Sequence, residues 1–271
     1  FLYMGAYDRN TVLIVPGEEG SNTVPTNLKS FVNIGRLRYD LGDESYIGGM
    51  VMTRDILGGN NRLAGMDWNY KFWSNWYFSG EGFLSRTKEL DDTTLLDSKR
   101  QFGRTGYNAA FNGERYSGNG IHLNLFHSGR SYNFVFTANN FSPTYQSYNG
   151  SFDQNGIRQL SMTHGYTVYP ENTFIDQGSI GFNSDLRYDF DGVKKEQVLQ
   201  PYISLTLKGQ TNIYLQHLTI NDESFRGTWF KKINRFYYSI NSRPMNVITL
   251  STYGQIGKFI YRTSIPTMGT G

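Results

Sequence analysis

Arg62 to Trp73 alternates. Ala64, Met66, Trp68, Tyr70 and Phe72 occupy the even positions; Gly65, Asp67, Asn69 and Lys71 occupy the odd ones. Successive side chains of a β-strand point to opposite faces, so such a segment sorts into a greasy face and a polar face. A helix would scatter both sets around its circumference. Gly178 to Phe190 repeats the pattern, with Ile180, Phe182, Leu186, Tyr188 and Phe190 on one side and Asn183, Asp185, Arg187 and Asp189 on the other. Phe31 to Leu41 does so again, with Leu37, Tyr39 and Leu41 opposite Arg36, Arg38 and Asp40.

Composition narrows what such strands can build. Apolar residues make up only 38% of the 271 residues, while Tyr (20), Phe (19) and Trp (4) are abundant. The mean hydropathy is −0.50. No stretch approaches the roughly 20 consecutive apolar residues of a membrane-spanning helix. A barrel can still span, because only every second side chain must be apolar. Soluble sandwiches and jelly rolls also alternate, but their inward residues are mostly Val, Ile and Leu. Here the apolar faces carry aromatic residues, often near segment ends, as an interfacial belt would. The fold expected is all-β: an antiparallel transmembrane β-barrel, present as a fragment of a larger barrel. A soluble all-β carbohydrate-binding protein is the alternative.

The segments expected as strands are 31–41, 45–54 (with Tyr46, Met50 and Met52 on one face), 62–73, 75–87, 105–116, 119–127, 131–138, 156–168, 178–190, 199–208, 210–220, 233–241, 246–254 and 257–263, roughly fourteen in all. Residues 1–30, punctuated by Pro16, Gly17, Gly20 and Pro25, read as an irregular, plug-like lead-in. Residues 264–271 read as loop. The first ten residues lack the ordered regions of a signal peptide, and the last eight lack a closing aromatic strand, so both ends are expected to belong to a longer protein. Short turns are expected at Gly42-Asp43, Ser74-Asn75, Ser117-Gly118, 128–130 and Gly209-Gln210, and long loops at 88–104, 139–155 and 221–232. Alternating short and long connections is a barrel habit, although here it fails between about 119 and 156.

Chemistry is sparsely signalled. There is no Cys, which excludes disulfides, thiolate metal sites and cysteine nucleophiles, and suits transit through an oxidising periplasm. The net charge of +3 is scattered with no basic tract, so nucleic acid is not an expected partner. His122, His127, His164 and His217 have no metal-ligand spacing. Asp189-Phe-Asp191-Gly192 and Asp91-Asp92 read as turns rather than calcium loops. No metal or cofactor is expected. There is no nucleophile elbow or phosphate-binding Gly-rich loop. Asp67, Glu81, Glu114 and Asp185 are the carboxylates a glycosidase would draw on, but sequence cannot supply the spacing such a pair needs. The charged residues expected to face the lumen are Arg36, Arg38, Asp67, Lys71, Glu81, Glu114, Arg115, Asp185 and Arg187. Mixed charges there either pair across strands or form a selective eyelet; pairing is favoured because no single-sign cluster stands out. Tyr145, Tyr148 and Phe152 could stack on a sugar or pack within their own loop, and packing is the favoured reading.

Several stretches, taken in order, resemble a known family. They are Ala6-Tyr7-Asp8, 14–19 (Ile-Val-Pro-Gly-Glu-Glu), 39–42 (Tyr-Asp-Leu-Gly), 45–50 (Ser-Tyr-Ile-Gly-Gly-Met), 127–130 (His-Ser-Gly-Arg), Phe190-Asp191-Gly192, Phe225-Arg226-Gly227, Ile260-Tyr261-Arg262 and Pro266-Thr267-Met268-Gly269. Together they are similar to the C-terminal barrel region of an uncharacterised bacterial outer-membrane family (domain of unknown function 5916). Its members often carry an N-terminal domain similar to family-nine carbohydrate-binding modules. The resemblance implies a Gram-negative outer-membrane location, a larger parent with further strands, and outer-membrane lipid as a partner. It brings no catalytic residue, and no sugar-binding residue can be carried over. The function expected is a scaffold, pore or surface-display platform, with glycans or envelope proteins met through the long loops. An outer-membrane hydrolase is a lesser alternative.

Overall fold

The computed structural model describes residues 1–96, 98, 100–149, 152–171 and 173–271. Positions 97 and 99 fall in the long connection expected at 88–104, and 150 and 151 in that expected at 139–155, so these parts of both expectations lie outside the described residues. The described chain is all-β, with 18 strands and no helix. They are β1 (Leu2–Asp8), β2 (Val12–Val15), β3 (Asn22–Pro25), β4 (Ser30–Gly42), β5 (Ser45–Ile56), β6 (Gly59–Phe72), β7 (Trp76–Lys88), β8 (Arg115–Ser128), β9 (Tyr132–Phe141), β10 (Ile157–Val168), β11 (Ile175–Asp189), β12 (Lys194–Leu207), β13 (Thr211–Leu218), β14 (Ile220–Phe225), β15 (Thr228–Phe230), β16 (Arg235–Met245), β17 (Ile248–Tyr261) and β18 (Thr267–Thr270). One sheet runs in the order β1-β4-β5-β6-β7-β8-β9-β10-β11-β12-β13-β16-β17-β18, with β14 on β12 and β15 on β14; β2 and β3 pair separately. β1 and β18 end that order, and among the described residues no ladder joins them.

Contacts divide the chain into two units. The first is Phe1–Asn124 with Ala138–Gln159 and Tyr188–Val193; the second is Leu125–Thr137 with Leu160–Arg187 and Lys194–Gly271.

In the first unit β4 to β7 form a long antiparallel ladder of 12 to 14 residues per strand. The register fixes the faces. Leu37 opposes Gly49, which opposes Met66, which opposes Gly82. One residue along, Arg38 opposes Gly48, Gly48 opposes Asp67, and Asp67 opposes Glu81. The first row is outward: Met66 is 57% exposed and Leu37 62%, as is Leu84 two residues on at 68%. The second is inward, with Asp67 only 8% exposed and Asn61 1%. Along these two rows the apolar Leu37, Met66 and Leu84 face out, and the polar Asp67 and Asn61 are buried. The inner face also carries apolar side chains, Ile34, Met50, Met52, Ile56, Leu63 and Phe83, and the outer face is charged near the Ser30–Ile56 end at Asp55, Arg62 and Arg86.

Three connections fold onto that inner face. They are 9–29, which contains β2 and β3; 89–114; and 142–156. Their core is of the ordinary kind: Leu13, Val15, Val24, Leu90, Phe102, Ala109, Phe111 and Tyr148 pack with Ile56 of β5 and Tyr116 of β8. Tyr145, Phe141 and Leu63 form a second cluster, with Met52, Phe83 and Phe152 against it. All three inserts leave the ladder at the end marked by the Ser30–Ile56 pair. The connections at its opposite end, after β4 and after β6, are short. In the second unit, likewise, the connections after β8, β10, β12 and β16 are short, while β14 and β15 lie in the longer one between β13 and β16. Leu218, Phe230 and Ile233 form its core cluster.

Several expectations are corrected. Residues 1–30 are not irregular: β1 pairs with β4 over seven residues, and β2 and β3 form a hairpin. Residues 264–271 contain β18, paired to β17. Residues 221–232 are largely β14 and β15. Residues 105–114 are not a strand. Gly106, Phe111 and Gly113 take positive φ, and backbone bonds there run within the insert, from Ala109 N to Arg100 O and from Gly113 N to Leu90 O. Ser117-Gly118 is no turn but part of β8. With both errors removed, the succession of two short turns between 119 and 156 disappears.

Candidate functional site

The inner face of the first unit gathers five of the nine charged candidates. Arg36, Arg38, Asp67, Lys71 and Glu81 share it by register. Arg36 binds Asp67 at 2.6 Å. Gly48 lies beneath that carboxylate; a Cβ there would sit 2.6 Å from Asp67 Oδ1, so the strand needs a glycine for the pair to fit. Arg38 binds Asp40 at 2.7 Å and lies 3.9 Å over the Tyr46 ring. Lys71 reaches Glu44 of the β4–β5 turn at 3.0 Å, and the Tyr77 hydroxyl donates to the same carboxylate at 2.8 Å. The Tyr77 and Lys71 hydrogen bonds hold the Glu44 carboxyl below the usual range. Asp185 and Arg187 belong to the second unit. Ser161 donates to Asp185, and Arg187 pairs with Glu196 at 3.4 Å. Beyond β17, Arg262 binds Glu223 at 2.7 Å.

Two charged candidates are misplaced by the sequence reading. Glu114 is not on a strand; it accepts from the backbone and side-chain nitrogens of Asn108 at 3.0 and 3.2 Å and pins its own insert. Arg115 is exposed, on the face of β8 opposite buried Tyr116. Of the carboxylates a glycosidase would need, only Asp67 and Glu81 stand side by side, and Asp67 is already paired with Arg36.

The three aromatic candidates are not an exposed platform. Tyr145 and Tyr148 are buried and Phe152 half-buried. Tyr145 and Phe152 rings meet edge-on at 4.8 Å. Burial raises the hydroxyls of Tyr145 and Tyr148 above their ordinary range, so both stay protonated. The 142–156 insert is held by buried polar groups of the ladder. Asn61 Nδ2 donates to Gln146 O at 3.2 Å, its Oδ1 accepts from Tyr148 N at 3.2 Å, and Arg54 Nη1 donates to Tyr148 O at 2.5 Å. Arg54 also pairs with Asp8 of β1 at 2.6 Å. Gly118 of β8 permits this docking, because a Cβ there would collide with the Tyr145 backbone.

Sequence reading missed two groups in the inserts. Arg100 donates to the carbonyls of Val15 and Pro16 at 3.2 and 2.8 Å, and burial lowers its pKa. It lines a cleft of about 490 Å³ with Glu18, Glu19, Gln101, Asn155 and Gly156. Glu89 is the second, 2% exposed at the foot of 89–114. The period of two could have found it: Ser85, Thr87 and Glu89 continue one inward row.

Among the described residues no group of three or more His, Asp or Glu side chains could hold a metal ion. His122 bonds Asn139, His164 stacks on Phe182, and His217 bonds Thr219 and Asn234. Asp189 closes the turn before β12, accepting from Val193 N at 2.7 Å. Asp92 accepts from the Thr94 hydroxyl and amide, which lower its pKa. No family model, no curated protein and no solved structure matches this chain.

Proposed function

We propose that this chain supplies strands of a Gram-negative outer-membrane β-barrel, part of a larger protein similar to the family resembled by its motifs. Its outward face meets lipid, and its own inserts stopper the inner face. One observation carries this: along a single ladder Met66 is 57% exposed while its neighbour Asp67 is 8% exposed. Water on both sides would favour the reverse sorting. Outer-membrane barrels alternate apolar-out and polar-in. Strands of 12 to 14 residues exceed the ~9–11 that a tilted strand needs to cross a bilayer. Inserts at one end and tight turns at the other match the usual placing of long loops outside and short turns in the periplasm.

A lipid-facing sheet cannot leave backbone groups unpaired, so the outer edges of β1, of β18 and of the part of β17 that β18 does not cover must be completed by further strand pairing. The work is then that of a scaffold rather than an open pore, because inserts cover the inner face of the first unit and most of its charges are paired. Burial of Tyr145 and Tyr148, with Phe152 half-buried against Tyr145, removes the aromatic support for glycan stacking.

Fractionation of cells expressing the full parent protein tests the proposal. The protein is expected in the outer-membrane fraction, released only by detergent, with heat-dependent migration on gels. Recovery in the aqueous fraction without detergent overturns it and favours a soluble all-β protein.

A further inference from the structure

Glu89 lies beside the cluster in which three inserts meet β5 and β8. It follows the last residue of β7, and its backbone N donates to Glu114 O at 3.0 Å, closing the foot of 89–114. Its neighbour Leu90 and its partner Tyr116 belong to the cluster in which Leu13, Val15 and Val24 of the first insert, Phe102, Ala109 and Phe111 of the second, Tyr148 of the third and Ile56 of β5 pack together. Tyr116 donates to Glu89 Oε1 at 2.8 Å. Glu89 Oε2 is buried with no hydrogen-bond partner among the described residues. Glu89 is 2% exposed, and the Tyr116 hydroxyl and the Asn112 amide are the donors that favour its charge, so the charged form is costly where it lies.

Of the facing titratable groups, only the Tyr116 hydroxyl favours the charged form. They are Tyr116 of β8, Glu114 of the same insert and Tyr148 of the third insert. The nearest cations are engaged elsewhere: Arg54 holds Asp8 and Tyr148 O, and Arg100 holds carbonyls of the first insert. Arg86 and Lys88 flank Glu89 on β7 but fall on the outward row with exposed Arg62. The first insert contributes only apolar side chains to this cluster.

We propose that Glu89 is a proton-operated latch: protonated, it holds the 89–114 insert against the inner face, and ionised, it releases it. Burial, aided by the Glu114 charge and opposed by hydrogen bonds from Tyr116 and the Asn112 amide, pushes the Glu89 carboxyl up from 4.5 to about 7. A carboxyl raised in the docked state and ordinary when released makes docking strongest below the released pKa. Docking weakens as pH climbs toward about 7 and levels off above it. Full ionic separation would change the opening equilibrium by about tenfold per pH unit inside that window. The latch goes beyond the scaffold role and does not depend on where the outer face resides.

Hydrogen exchange on the folded full chain reads it directly. The amides of Asp92, Phe102, Ala109 and Gly113 are bonded within the insert; those of β4 to β7 serve as controls. After correction for intrinsic exchange, protection of the insert is expected to fall by about tenfold or more between pH 5 and pH 7.5, with ladder protection unchanged. Glu89→Gln should abolish the fall. Tyr116→Phe, losing the bond that favours the charged form, should move the midpoint to higher pH. No fall in the wild type, or an equal fall in Glu89→Gln, overturns the latch. If Glu89→Gln does not fold, an unmoved midpoint in Tyr116→Phe overturns it instead.

Discussion

The ladder of β4 to β7 and the inserts that cover it obey opposite rules within one unit. In the inserts Leu13 and Ala109 are fully buried and Phe111 is 1% exposed, as in any water-soluble core. In the ladder Leu84 and Met66 face out while Asn61, Ser85 and Thr87 are buried. The same hydrophobic effect cannot sort side chains in opposite senses unless the surroundings differ. The inserts hide their apolar groups from water; on the proposed reading the outer row of the ladder meets lipid. The polar inner row then has a structural use, because Asn61, Ser85 and Arg54 supply the hydrogen bonds that seat the third insert.

Substitutions should separate the two rules. Phe111→Ala opens a cavity in the insert core and is expected to cost about 3–5 kcal/mol, read as lost insert protection in hydrogen exchange. Leu84→Arg on the outer row should cost about 2–4 kcal/mol when unfolding is followed in lipid vesicles, if that position lies near the bilayer midplane. In a water-exposed strand the same change should stay within ~0.5 kcal/mol. Asn61→Ala leaves Gln146 O and Tyr148 N without their partner and should cost about 1–3 kcal/mol by chemical denaturation. Arg38→Ala should change stability by ~1 kcal/mol or less, because Arg38 and Asp40 are both well exposed. An Arg38 effect as large as that of Phe111 would mean that the inner charges hold the fold more than the insert core does.

Legibility followed periodicity. β4, β6 and β11 could be read because their two faces have different chemistry, and the turn at 41–44 because Gly42 and Asp43 supply the positive φ it needs. β1 was not legible: Tyr3 and Tyr7 on one row face Leu2, Met4 and Ala6 on the other, so neither row is polar. β2, the run Val-Leu-Ile-Val, alternates in burial, with Leu13 and Val15 buried and Val12 exposed, but not in chemistry, so no pattern marks it. Gly254 and Gly257 suggest a break, yet β17 runs through both, with Gly257 absorbing the irregularity at positive φ. Residues 105–116 mimic a strand pattern, but three positive φ angles bend the chain into the insert. Arg36, Arg38, Asp67, Lys71 and Glu81 share one face because they lie on strands whose alternation is regular. Glu114 and Arg115 failed because their segment was not a strand. The burial of Tyr145 and Tyr148 depends on contacts some 60 to 95 residues away in sequence, which no local pattern carries.

Because the chain has no cysteine, single thiols can be placed at will. The most direct test puts a fluorophore on Cys substituted at Ala64, Met66, Tyr70 or Leu84, and in parallel at Asn69 or Ser85, in protein reconstituted into vesicles of brominated phospholipid. Strong quenching at the first four positions and little at the last two is the outcome expected of a lipid-facing outer row. Equal quenching on both rows, or none together with free labelling of the outer thiols by a membrane-impermeant maleimide, would contradict it.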